Sequence, residues 1–233
     1  MYIYGKNVAK EKLKGNERIN KIYLAEKFND DEIFELIRNK RIKYTFVSNK
    51  KLDELAKGLH QGIILDVDDV RTHNIDYIKS IKTGNPILVM LDHLEDPHNF
   101  GAIIRTCEAL GIDGIIIPND RNVGVNSTVV KTSAGAIYNM PIIRVANLVA
   151  SIKKLKDNGF WIVGTDMEGT DYTEMDYNMP ICLVIGNEGK GISNVVENNC
   201  DYMVKIPMIG NINSLNASVS CGIILSRIVA SRR

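Results

Sequence analysis

The chain has 233 residues, 45% hydrophobic and 24% charged, the balance of an ordinary soluble globular protein with room for one large domain or two small ones. A net charge of +1 excludes a protein that is strongly basic or acidic as a whole, and the longest apolar runs are strand-length, too short to cross a membrane. In chain order, Ile19–Ala25 has strand character and Asp30 to Asn39 reads as a helix with acids in its first turn. Ile42–Val47 alternates as a strand, Ser48 is placed to cap a helix carrying Leu52, Leu55 and Ala56, and Gln61–Val67 completes a small sheet. The chain then turns polar from Asp68 to Asn74, which predicts a first domain over 1–70, a linker over 71–84 and a second domain over 85–233.

From Pro86 the strands are continuously apolar, as expected where helices cover both faces of a sheet. The candidates are Ile87–Leu91, Gly114–Ile117, Ile142–Val145, Phe160–Gly164, Ile181–Ile185 and Met203–Ile206. Helices are expected near 99–110, 126–136, 147–157, 192–198 and 216–231, with Asn147 as an N-cap and Gly159 as a stop. Strand–helix alternation predicts an α/β fold with a mainly parallel sheet.

Charge is unevenly spread. Residues 1–60 hold 14 Lys and Arg against 9 Asp and Glu, a net of +5, and the remainder nets −4. A basic first third suits either a phosphate backbone or a plain solvated surface. Met1-Tyr2-Ile3-Tyr4-Gly5-Lys6 lacks the apolar core of a signal peptide, so the protein is expected in the cytoplasm. Cys107, Cys182, Cys200 and Cys221 are scattered, so each is expected as a small buried hydrophobe, and no metal is expected.

Two corners follow apolar strands. After Ile181–Ile185 comes Gly186-Asn187-Glu188-Gly189-Lys190-Gly191, whose glycine spacing fits neither the dinucleotide fingerprint nor the P-loop. Alone it reads as a turn into a helix at Ser193, although a turn needs no carboxylate, and Glu188 is suited to orienting a backbone or a cation. After Met203–Ile206 comes Pro207 to Ser220, where Asn213, Ser214, Asn216, Ser218 and Ser220 crowd a helix start that needs one cap. The surplus points to a polar ligand or a subunit interface. A third segment, Asp92 to Arg105, puts Asn99 at an expected helix start and Arg105 among Ile103, Ile104, Cys107, Ala109 and Leu110. An arginine so placed suits a carboxylate or a phosphate. His93 and His98 read as cap or loop residues. Backbone-rich loops at strand ends are where open α/β sheets bind ligands.

Together the segments Asn99-Phe100-Gly101-Ala102-Ile103-Ile104-Arg105, Val184-Ile185-Gly186-Asn187-Glu188-Gly189-Lys190-Gly191 and Ile206-Pro207-Met208 with Ser214-Leu215-Asn216-Ala217-Ser218 resemble the three motifs of the SpoU (TrmH-like) branch of the SPOUT RNA methyltransferases. Tyr4-Gly5-Lys6-Asn7-Val8 and His60-Gln61-Gly62-Ile63 resemble that family's small L30e-like substrate-binding domain. The resemblance implies a deep trefoil knot in the second domain and S-adenosylmethionine held by main-chain groups of Gly186, Ile206 and Leu215. It also implies a catalytic set of Asn99, Arg105, Glu188, Ser214 and Asn216, a homodimer, and RNA as substrate. The nearest likeness is to enzymes that methylate a guanosine ribose in 23S rRNA, free or in a large-subunit assembly intermediate. The basic end of the chain, Gly222 to Arg233, departs from relatives that carry an acid there. A tRNA ribose methyltransferase shares the three motifs, and an RNA-binding protein with a relic cofactor pocket is the non-enzymatic alternative. The five intact site residues count against the relic, and the missing fingerprint counts against an oxidoreductase.

Overall fold

A computed structural model describes every residue except 16, 17, 57, 83, 121, 188, 212, 213 and 233. Two compact units emerge, one of residues 1–70 with 125–135 and one of 71–124 with 136–233.

The smaller unit runs β1 (Tyr2–Tyr4), α1 (Lys6–Lys14), β2 (Ile19–Ala25), α2 (Asp31–Lys40), β3 (Tyr44–Val47), α3 (Asn49–Leu55) and β4 (Ile63–Val67). Its sheet order is β1-β4-β2-β3, with β4 antiparallel to both neighbours and β3 parallel to β2. Ser48 caps α3 as expected, accepting from Lys51 N at 3.3 Å, and Asp30 caps α2 through Ile33 N. The pair β1 and α1 has no counterpart among the elements expected from sequence. Gly5 begins that helix at φ 99°, and Gln61 Oε1 accepts from Lys6 N at 2.8 Å in place of a local cap. Lys6 and Gln61, 55 residues apart, therefore form one clasp that starts a helix.

The larger unit contains β5 (Thr72–His73), β6 (Ile87–Leu91), α4 (Pro97–Ala109) and β7 (Gly114–Pro118). After α5 (Ser127–Thr132), which groups with the smaller unit and packs on β1, come β8 (Ile142–Val145), α6 (Leu148–Asp157), β9 (Trp161–Asp171) and β10 (Ile181–Ile185). The chain closes with α7 (Asn194–Glu197), β11 (Tyr202–Lys205) and α8 (Ala217–Ala230). All six strands expected here form within a residue or so, except that β9 runs on to Asp171. The stretch read as a linker holds β5, paired with β8, and a 3-10 turn (Ile75–Ser80) whose Ile75 and Ile78 join the core.

Seven strands lie in the order β11-β9-β10-β6-β7-β8-β5, each parallel to its neighbours. Leu88 and Met90 of β6 share a core with Cys182 and Val184 of β10 and with Leu148, Ile152 and Leu155 of α6. Val89 and Leu91 on the opposite face are equally buried, which explains the unbroken apolar runs. Cys107, Cys182 and Cys221 are buried free thiols, as expected, and Cys200 is half-buried. Burial raises the pKa of each of Cys107, Cys182 and Cys200.

Candidate active site

The chain leaves β6 toward β7 on one side, while it leaves β10 toward β11 on the other, because β9 and β11 lie beyond β10. The carboxyl ends of β6 and β10 therefore form a topological switch point, the place where open α/β sheets leave a crevice for ligands.

The segment after β6 holds both corners. Asp92 is 1% exposed. Its main-chain N donates to Ile185 O at 2.9 Å, and its Oδ2 accepts from both N and Oγ of Ser193 at 2.7 Å. Its Oδ1 meets Nδ1 of His93. Asn187 Nδ2 donates to the carbonyl of His93 at 3.1 Å, so His93 is fixed from two sides in the left-handed conformation, φ 58°. A left-handed histidine costs roughly 1–3 kcal/mol and persists only where its surroundings hold it there. This latch was not singled out in the sequence. The signal for it was an acid directly ending a five-residue apolar strand at the sheet's carboxyl edge.

The corner after β10 closes on itself. Asn187 and Gly191 exchange main-chain hydrogen bonds at 3.0 and 2.9 Å, and Asn187 Oδ1 accepts from Gly189 N at 2.9 Å. Gly186 is buried, and a Cβ there would lie 2.2–2.4 Å from the Gly191 and Ile192 backbone. The glycine thus lets the chain approach itself. Glu188 lies outside the described residues.

Helix α4 begins two residues before the expected start, with Asp96 as cap accepting from His98 N and Pro97 in the first turn, where its missing N–H costs nothing. Asn99 is therefore inside the first turn. It is 7% exposed, and its Oδ1 accepts from Asn216 Nδ2 at 2.8 Å. Asn216 caps α8, its Oδ1 accepting from Ser218 N, Ser218 Oγ and Val219 N. Part of the polar surplus at this helix start is thus used internally. Further along, α4 and α8 stay in contact, with Gly222 facing Thr106 and Cys107 beside Cys221.

Arg105 is exposed, and no described residue hydrogen-bonds or ion-pairs with it. Six residues beyond Asn99, it stands about 9 Å up the helix and about 120° round it. The apolar neighbours in sequence face inward and the arginine outward, so Arg105 is not enclosed among them, and no described carboxylate pairs with it. Ser214 and Leu215 are exposed just before α8, and Ile206 is half-buried just after β11. The structure therefore joins Asn99 to Asn216 directly, and ties the Gly186 corner to the same segment through Asp92.

Comparison with known proteins fits this geometry. Residues 86–226 match the model of the SpoU rRNA Methylase family, and residues 2–73 match that of RNA 2′-O ribose methyltransferase substrate binding. The chain is 40% identical over 238 residues to YacO of Bacillus subtilis, named as a TrmH family tRNA/rRNA methyltransferase, covering 99% of this chain and 96% of that one. Among solved structures, the SpoU methyltransferase AviRb of Streptomyces viridochromogenes, in complex with its cofactor AdoMet, is 27% identical with a TM-score of 0.82, covering 100% of this chain and 90% of that one. The TrmH/SpoU tRNA modifying enzyme of A. aeolicus is 34% identical with a TM-score of 0.59, covering 65% of this chain and 77% of that one.

The residues present suit S-adenosylmethionine. The described residues from Ile206 to Asn216 form neither helix nor strand, and Met208, Ile209 and Leu215 expose apolar surface beside that main chain. Irregular backbone with apolar side chains is what a purine and an aliphatic sulfonium need, while no phosphate has to be held. The chain belongs to the SpoU methylase family, and it is an S-adenosylmethionine-dependent RNA ribose 2′-O-methyltransferase.

Proposed function

We propose that the substrate is a guanosine of 23S rRNA, free or in a large-subunit assembly intermediate, modified by a cytoplasmic homodimer whose larger unit carries a trefoil knot. The 2.8 Å bond between Asn99 and Asn216 is the observation that carries the site, because it fastens the first motif to the third beside the switch point. Two features support rRNA. The family model matched by the larger unit is that of rRNA methylases, and the likeness to the tRNA modifying enzyme leaves about a third of this chain unmatched. The dimer reading draws on a groove of about 590 Å³ along the outer face of α8, lined by Val219, Gly222, Ile223, Arg227 and Tyr172.

When bound, S-adenosylmethionine would supply an activated methyl group to the ribose 2′-hydroxyl oxygen and would leave as S-adenosylhomocysteine, with the hydroxyl proton released to water. What the chain must add is alignment and a countercharge for the oxygen. Main-chain groups of Gly186, Ile206 and Leu215 hold the cofactor. Arg105, unpaired within the described chain, faces solvent where an RNA backbone arrives, and it steadies the developing alkoxide or the adjacent phosphate. A guanidinium stays protonated, so it serves as a clamp and not as a base. Asn99, Glu188, Ser214 and Asn216 frame the reacting groups.

The test is transfer of labelled methyl to unmodified 23S rRNA, 16S rRNA and tRNA, with alkali-resistant sites mapped. Label at one guanosine of 23S rRNA is expected, and label in tRNA alone would overturn the target. Arg105→Ala should lower turnover by roughly 10²–10³ with cofactor affinity intact. Lost cofactor binding in a folded variant would remove Arg105 from this role.

A further inference from the structure

In the smaller unit a row of aromatic rings runs from the interior to the open edge of the sheet. Phe28, buried, meets Phe34 with ring centroids 5.8 Å apart. Phe34 meets Tyr44 at 6.1 Å, and Tyr44 meets Phe46 at 5.6 Å, every contact edge-on. Tyr44 and Phe46 alternate on β3, so they share one face, and their register against Ile22 and Leu24 makes it the face that bears the core. That face continues beyond the cover of α2: Tyr44 is 43% exposed and Phe46 49%. β3 ends the sheet, and no described strand pairs with its outer edge.

Charge singles out the same strand. Residues 36–52 contain Arg38, Lys40, Arg41, Lys43, Lys50 and Lys51 and no acid. The rest of residues 1–60 holds 8 cations against 9 acids, so the entire positive excess of the first third lies on the two flanks of β3. Lys40 and Lys51 are engaged, with Gly15 O and Glu54. Arg41, Lys43 and Lys50 are exposed, and no described residue hydrogen-bonds or ion-pairs with their side chains. Lysines alone would serve to keep an edge strand from pairing with another sheet. Two large exposed rings between them would work against that purpose, since an apolar edge invites association. Rings on which bases stack, flanked by cations that follow a phosphate chain, are the elements of a single-strand binding surface.

We propose that β3 is a docking site for an unstacked, single-stranded stretch of RNA, with bases on Tyr44 and Phe46 and phosphates against Arg41, Lys43 and Lys50. This rests on RNA being the substrate, and it narrows that substrate to one presenting a loop or an unpaired segment beside the modified nucleotide. A regular duplex keeps its base faces stacked and offers this surface only its backbone.

Binding of the full chain to a twelve-nucleotide single-stranded oligoribonucleotide, and to the same sequence as a duplex, tests the proposal. The single strand should bind more tightly. The double variant Tyr44→Leu/Phe46→Leu, which keeps apolar cover and loses the rings, should weaken single-strand binding by about tenfold or more and leave duplex binding unchanged. Arg41→Gln/Lys43→Gln should weaken both and reduce the logarithmic salt slope for the single strand by about 1.4. A leucine variant with an unaltered melting curve that binds the single strand as the parent does would overturn the proposal. Changed sedimentation with unchanged RNA binding would also overturn it, assigning the edge to a second copy of the chain. Methylation of tRNA in place of rRNA would refute the target proposed above without touching this result, whereas a chain that methylates RNA yet binds neither oligonucleotide form would refute this docking site and leave that target standing.

Discussion

In the corner after β10, Asn187, Gly189, Gly191 and Ser193 all bond within the protein, and Gly186 packs against the backbone five residues on. In the corner after β11, Met208, Ile209, Ser214 and Leu215 face solvent, and the described backbone takes no regular form until Asn216 caps α8. Both corners follow a strand of one parallel sheet, and both are rich in glycine and amides. The difference teaches that such composition serves two physical ends: one corner uses its small residues to fold onto itself and set the geometry, and the other keeps its main chain available. Asp92 and Asn99, on one short segment, hold the two corners in a common frame.

The contrast breaks most readily at Gly186. Gly186→Ala should lower the unfolding free energy by about 3 kcal/mol or more, because the atoms it meets are backbone and cannot move aside as a side chain can. Urea denaturation measures this, and a loss below about 1 kcal/mol would mean that the corner yields, contrary to its description as a closed latch. Next in size is Asp92→Ala, which strands the Ser193 N–H and should cost about 2–3 kcal/mol, with faster exchange of that amide. Asp92→Asn keeps an acceptor oxygen and should lose less. The smallest effect on stability is expected in the open corner, where Leu215→Ala should stay within about 0.5 kcal/mol. There the informative quantity is cofactor affinity by calorimetry. Leu215→Pro deletes an N–H and should weaken binding about tenfold, whereas Leu215→Ala keeps that donor and should change little. Equal losses in the two variants would assign Leu215 a side-chain role in place of a main-chain one.

Much of this molecule is written locally. Ile87–Leu91 and Ile181–Ile185 announce buried parallel strands because both of their faces are covered, and Ser48 and Asn147 mark helix starts because a cap acts on amides three residues away. The three motifs likewise placed Asn99, Gly186 and Asn216 at the strand ends where the sheet opens. What escaped detection depends on distant partners. Thr72-His73 is a strand because β8 lies beside it, α1 starts where Gln61 supplies its cap, and 125–135 groups with β1 and not with its sequence neighbours. Arg105 looks enclosed in one dimension and is exposed in three, since helical periodicity turns its apolar neighbours inward and the arginine outward.

The sequence by itself determined the periodicities, the caps and the identity of the residues at each corner, because these depend on neighbours within about one turn of helix or two strand positions. Only the tertiary structure decided which corner closes and which stays open, and that a buried aspartate 101 residues from Ser193 holds the site together. It also decided that Tyr44 and Phe46, between the cations of residues 36–52, stay exposed at the edge of their sheet. Those outcomes depend on hydrogen bonds and burial between segments far apart in the chain, which no local pattern encodes.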